Sequence, residues 1–320
     1  MKRILINLIL ALGVFAAGAG QAQPYPTKPV RIIVPFAPGG GSDFIGRFIA
    51  QKLTERLGQQ FIVDNRPGAG GNLGAELAVK AAPDGYTLLL IAGSYTVNPS
   101  LYKVAYDPVN DITPIIQLSQ GPFLVAVHPS VAAKSLKELI DLAKKQPDKL
   151  SYGSAGQGSI THLAEELFLD MAKIKIVHVP YKGTGPAMND AIAGNVQVLF
   201  GSVATTLQHV KSGRLRGLAV TTAKRISAAA DLPTVAEAGV PGYEVILWHG
   251  LVGPKGMPKA VVDKLNSEAG LVLKSKAMED LLAADGVSPA GGTPEQFGAT
   301  IKNDIERWRK VVLRAGIKAE

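Results

Sequence analysis

Val30-Arg31-Ile32-Ile33-Val34-Pro35-Phe36-Ala37-Pro38-Gly39-Gly40-Gly41-Ser42-Asp43 is a β-branched run that breaks into a glycine-rich loop. Residues 42–57 follow it with Phe44, Ile45, Phe48, Ile49, Leu53 and Leu57 at helical spacing, and Gly58 stands where a helix-ending glycine belongs. The same strand–loop–helix unit recurs along the chain. Strands are expected at 61–64, 86–92, 123–127, 150–154, 176–179, 196–200 and 215–221. Helices are expected at 72–82, 136–145, 159–172 and 187–193, and two more, 258–275 and 294–314, close the chain. Such alternation predicts an α/β protein with mostly parallel sheets. No repeat or low-complexity linker divides it. We therefore expect two lobes joined by strands crossing near Phe123 and Val245. Residues 23–120 and 245–320 would form the first lobe, and 121–244 the second.

The first residues read as a secretory leader over 1–22. Lys2 and Arg3 precede an apolar run from 4 to 17, and small residues at Gly20 and Ala22 place cleavage after Ala22. The run is shorter than the roughly 18–20 apolar residues of a membrane span. The chain has no cysteine, which excludes disulfides, thiolate metal sites and a lipid anchor at the cleavage point. A soluble, monomeric periplasmic protein is the expectation. The formal charge of +8 comes from scattered lysines and arginines with no aromatic interleaving, so nucleic acid is not an expected partner. A mild positive field suits an anionic small molecule.

Three glycine-rich loops follow predicted strands. The first, 35–43, opens a helix, where unpaired amides and the positive dipole end bind anions without a basic side chain. The plainer alternative is a tight turn capped by Ser42. The second, Ser151-Tyr152-Gly153-Ser154-Ala155-Gly156-Gln157-Gly158-Ser159-Ile160-Thr161-His162, repeats the design with Ser159 as helix cap. His162 either donates to a carboxylate or supports the loop. Ligands of open α/β sheets bind beyond the carboxyl ends of strands, where both loops lie. The third, 179–186, leads to Asp190, and its Tyr181 and Lys182 either pack the turn or line the cleft.

Enzyme signatures are missing. Gly153-Ser154-Ala155-Gly156 is one residue short of a nucleophile elbow, and Thr161 stands where a dinucleotide fingerprint needs its third glycine. His128, His162, His178, His209 and His249 show no metal-ligand spacing. No catalytic residue, metal or cofactor is assigned.

The chain resembles the tripartite tricarboxylate transporter substrate-binding proteins, the Bug family. The resemblance rests on an ordered series over most of the chain: Val34-Pro35-Phe36-Ala37-Pro38-Gly39-Gly40, Asp64-Asn65-Arg66-Pro67-Gly68-Ala69-Gly70-Gly71, Asp84-Gly85-Tyr86-Thr87-Leu88 and Tyr152-Gly153-Ser154-Ala155-Gly156. It continues through His162-Leu163-Ala164, His178-Val179-Pro180-Tyr181-Lys182-Gly183, Leu232-Pro233-Thr234-Val235-Ala236-Glu237-Ala238-Gly239, and Trp248, Gly250 and Trp308. The resemblance implies a two-lobed type II periplasmic-binding fold. It implies a carboxylate held by loop amides and ordered water, then delivered to an integral-membrane permease of two components. By position it implies ligand contacts from Phe36, Gly40, Gly41, Ser42 and Asp43, from Ser154, Ala155, Gly156, Ser159, Thr161 and His162, and from Ser94 and Thr205. Gln197 replaces an acidic residue that some relatives carry. A transport receptor is the leading reading. A carboxylate sensor docking to a membrane histidine kinase and a periplasmic enzyme are the others, and the particular carboxylate stays open.

Overall fold

The computed structural model describes residues 25–276, 278 and 287–315. The leader over 1–22 and its cleavage after Ala22 lie outside the described residues. Among those described, no helix is long and apolar enough to cross a membrane.

Strand β1 (Val30–Val34) lies between β2 (Phe61–Asn65) and β3 (Thr87–Ala92), parallel to both. Next to β3 comes β9 (Ile246–Pro254), antiparallel, and beyond it β4 (Ile112–Val127), with β10 (Ser288–Gly291) on the far side of β4. A second set is built the same way. Strand β5 (Ser151–Ser154) lies between β6 (Val177–Pro180) and β7 (Val198–Ser202), all parallel. Strands β7 and β8 (Arg216–Val220) flank β4 antiparallel. β4 belongs to both sets: residues 112–122 pair with β9, and 123–127 with β7 and β8.

Each set is covered on both faces, which is why its parallel strands read as continuous apolar runs. Successive side chains of β1 alternate. Val30, Ile32 and Val34 pack under α1 (Gly41–Leu57) and α8 (Lys259–Leu273), while Ile33 faces α2 (Asn72–Val79) and α9 (Pro294–Ala315). In the second set, α4 (Leu136–Lys145) and α5 (Ile160–Ala172) cover one face. Helices α6 (Thr184–Ala193) and α7 (Val203–Lys211) cover the other. Helix α1 ends as the sequence predicts, with Gly58 at φ 71° donating to Thr54 O at 3.0 Å.

Several features stand beside the sequence reading. β4 begins at Ile112 rather than 123, because Pro114 and the Gly121-Pro122 pair hide a bulged strand. Helix α3 (Gly93–Leu101) was not expected, since Gly93, Ser94, Asn98 and Pro99 read as loop; residues 93–98 are buried, and packing overrides their weak propensity. Helix α9 serves both cores: Phe297 and Ile301 join the β1 side, Trp308 and Val312 the α5 side. The 245–320 segment expected in the first lobe therefore also packs against the second set of strands.

Candidate functional site

The loop after β1 is held from behind. Asp43 turns its carboxylate back: Oδ2 accepts from Gly39 N at 3.0 Å and Arg47 Nε at 2.9 Å, and Oδ1 accepts from Asn65 Nδ2 at 3.0 Å. Burial pushes the Asp43 carboxyl up, but these hydrogen bonds and the Arg47 charge outweigh it and hold it below the ordinary value. The helix N-cap is Gly40, in extended backbone, and no side chain caps the helix. The expectation that Ser42 could serve as cap is corrected: Ser42 is already in the first turn. The first helical bond runs from Phe44 N to Gly40 O at 3.0 Å, so the amides of Gly41, Ser42 and Asp43 have no acceptor within the helix.

The loop after β5 spends most of its donors on itself. Ala155 N donates to Thr161 Oγ1 at 2.8 Å, Gly156 N to Ser154 Oγ at 3.1 Å, and Gly158 N to His162 Nδ1 at 3.3 Å. Ser159 is the helix cap, accepting from His162 N at 3.3 Å. Ile160 N reaches across to Ser94 Oγ at 2.9 Å. His162 supports the loop through this bond from Gly158 N. Its ring stacks on His178 at 4.2 Å, and His178 stacks on Tyr152 at 4.8 Å. Burial, with the neighbouring His178, lowers the His162 ring to about 3, and it stays neutral. The second loop thus offers fewer free amides than its glycines suggest.

A small cavity of about 20 Å³ lies between these loops, and five helix N-termini meet on its wall. Gly40, Gly41 and Ser42 come from α1; Ala92 and Ser94 from α3; Ile160 and Thr161, with Ala155, from α5; Thr184 from α6; Ser202 from α7. Of these helices only α5 has a side-chain cap; α1, α3, α6 and α7 have none. Phe36, Phe123, Leu247 and His249 complete the wall, and no Lys, Arg, Asp or Glu lines it. The positive ends of helix dipoles therefore supply the field, beside the hydroxyls of Ser42, Ser94, Thr161, Thr184 and Ser202 and the apolar side chains of the wall.

The structure brings together Phe36, Gly40, Gly41, Ser42, Ser94, Ala155 and Thr161 on this wall. It places Asp43, Ser154, Gly156, Ser159, His162 and Thr205 elsewhere: the middle four inside the second loop, and Asp43 and Thr205 on an outer groove. Thr205 Oγ1 lies 2.9 Å from Ser202 Oγ and supports it. Sequence reasoning missed Ala92, Phe123, Ile160, Thr184, Ser202, Leu247 and His249. Thr184 opens α6 within the third loop, whose glycines were the available signal. That loop closes on the first: Ala37 N donates to Lys182 O at 2.8 Å. The Lys182 side chain is exposed, and Tyr181 donates to Asp190 at 2.6 Å, so both serve the turn. Gln197 is also away from the cavity, bonding Ser151 N at 3.0 Å and Gly194 O at 3.0 Å. Among the described residues no cluster of three or more His, Asp or Glu could hold a metal.

The comparisons with known proteins agree on one family. The model described as "Tripartite tricarboxylate transporter family receptor" matches residues 45–317. The solved structure of the periplasmic binding protein BugD superimposes with a TM-score of 0.90 at 34% identity, covering 92% of this chain and 100% of that one. Rpa4515 of R. palustris, solved with adipate, gives 0.89 at 38% identity over 92% and 99% of the two chains. MatC from Rhodopseudomonas palustris, solved with bound malate, gives 0.85 at 30% identity over 90% and 100%. With the two-set α/β fold of a periplasmic binding protein and a family match over most of its length, the chain belongs to the tripartite tricarboxylate transporter receptors.

Proposed function

We propose that this receptor captures a small carboxylate in the cavity between its glycine loops and delivers it to an integral-membrane permease. The observation that carries this is the convergence of five helix N-termini, four without a side-chain cap, on a cavity that no charged side chain lines. Such ends attract a carboxylate by about 0.3–1 kcal/mol each when exposed and more when buried. Apolar walls from Phe36, Phe123 and Leu247 suit its carbon chain. The carboxylates present in the R. palustris neighbours are of this class. In this reading the chain is exported, its leader is removed after Ala22, and the mature monomer diffuses freely in the periplasm. Residues 23–120 and 245–320 form one lobe and 121–244 the other. The Ala37–Lys182 contact is part of their closed form.

A thermal-shift screen of mono-, di- and tricarboxylates tests the proposal. A ligand at a hundred times its dissociation constant should stabilise the protein by about 2.7 kcal/mol. Absence of a shift with every carboxylate at millimolar concentration would contradict it.

A further inference from the structure

His249 is the ionisable residue on the cavity wall, and nothing in the chemistry so far uses it. It sits on β9, opposite Ala92 of β3 on one side and Ser119 of β4 on the other. The β4–β9 register shifts between Gln117 and Ser119. That bulge brings Ser119 opposite His249, a known way for a sheet to re-aim a side chain beside a site. Ser119 Oγ lies 3.1 Å from His249 Nδ1 and fixes the ring. The other nitrogen, Nε2, is buried and has no hydrogen-bond partner among the described residues. The residue is 3% exposed. On its other side His249 borders a small void of about 10 Å³ whose remaining walls are apolar or glycine, apart from Ser119 and Ser202. Both hydroxyls already have partners there, at His249 and Thr205.

We propose that His249 is a specificity-determining residue that hydrogen-bonds, through Nε2, a hydroxyl group on the bound carboxylate. This makes the preferred ligand a hydroxy acid, and it rests on the carboxylate reading above. Burial lowers the ring to about 4, so it is neutral at working pH and attracts no second anion by charge. A neutral imidazole presents Nε2 as donor or acceptor according to its tautomer. A hydroxyl satisfies both, whereas a second carboxylate satisfies only the donor form. An ammonium would satisfy the acceptor form, but the positive helix ends disfavour it. A buried polar atom on a cavity wall discriminates strongly against ligands that leave it unpaired.

The test is calorimetry with acids that differ by one hydroxyl: malate against succinate, 6-hydroxyhexanoate against hexanoate, and 4-hydroxybenzoate against benzoate. The wild type should prefer the hydroxylated member of a binding pair by about tenfold. His249→Leu should erase that preference, bringing the two members of each pair within about threefold of each other, and His249→Gln should restore part of it. If the leucine variant does not fold, nitrogen NMR of histidine-labelled wild type decides. The His249 Nε2 resonance should move with the hydroxy acid and stay with the plain one. Equal affinities within each pair, or a preference that survives His249→Leu, overturn the assignment and leave carboxylate binding intact. If no acid of either kind binds the wild type, the carboxylate reading itself fails, and this inference with it.

Discussion

Two glycines on the facing loops are constrained in different ways. Gly156 has φ 118°, and a Cβ there would lie 2.7 Å from Tyr181 O, so any side chain strains the backbone. Gly156→Val should lose about 1–3 kcal/mol of stability along with binding. Gly40 has an ordinary φ of −94°. Its Cβ would meet Thr184 Oγ1 at 3.1 Å and Gly185 N at 3.3 Å, across the closing loops. Gly40→Val should keep its melting temperature and lose affinity. Lys182→Ala should change neither, because its contact is through the backbone. Calorimetry and thermal unfolding of the three variants separate these outcomes. Asp43 adds a pH dependence. Its folded pKa lies below the ordinary 3.8, so its stabilising share is complete above that value and is lost as pH falls through the folded pKa. Asp43→Asn should cost about 1.5–3 kcal/mol at pH 7 and remove that part of the acid sensitivity, as read by denaturant titration. Glycines made the first loop legible in the sequence. The clamp made by Asp43 was not legible, because it depends on Asn65 and Arg47 meeting it in space. His249 was not legible at all: only the bulge in β4 and the crossing of β9 give a lone histidine its position.

At the scale of elements, the strand-to-helix junctions do the work. The Ser159 cap of α5 could be read from the sequence, since a serine precedes a periodic apolar run. Ser159→Ala should cost about 1 kcal/mol of stability, seen as a lower denaturation midpoint with unchanged slope. The junctions at Ala92 and Ser202 were not readable. Neither α3 nor α7 starts with a glycine loop or a side-chain cap, so no local signal marks them. Helix α3 is anchored from a distance instead. Thr96 of α3 donates to Asp304 of α9 at 2.6 Å, and Trp248 Nε1 donates to the same carboxylate at 3.1 Å. The face of α9 was legible because Phe297, Ile301, Ile305, Trp308 and Val312 keep one period over several turns. Where period and glycine failed as signals, α3 is held by contacts distant in sequence.

For the whole molecule, the repeated strand–helix grammar foretold the α/β class, and the long β4 explains how one strand serves two sets of neighbours. The consequence is a cavity placed where helices from both sets point their amino ends. The central claim is that these ends hold a carboxylate by its charge. It is tested most directly by titrating the purified mature protein, in one calorimetric series, with the tightest-binding acid from the carboxylate screen and with its neutral amide. The acid should bind and the amide should bind at least about a hundredfold more weakly, since neutral oxygens form weaker bonds to the same amides and gain nothing from the dipoles. Equal affinity for acid and amide would contradict it.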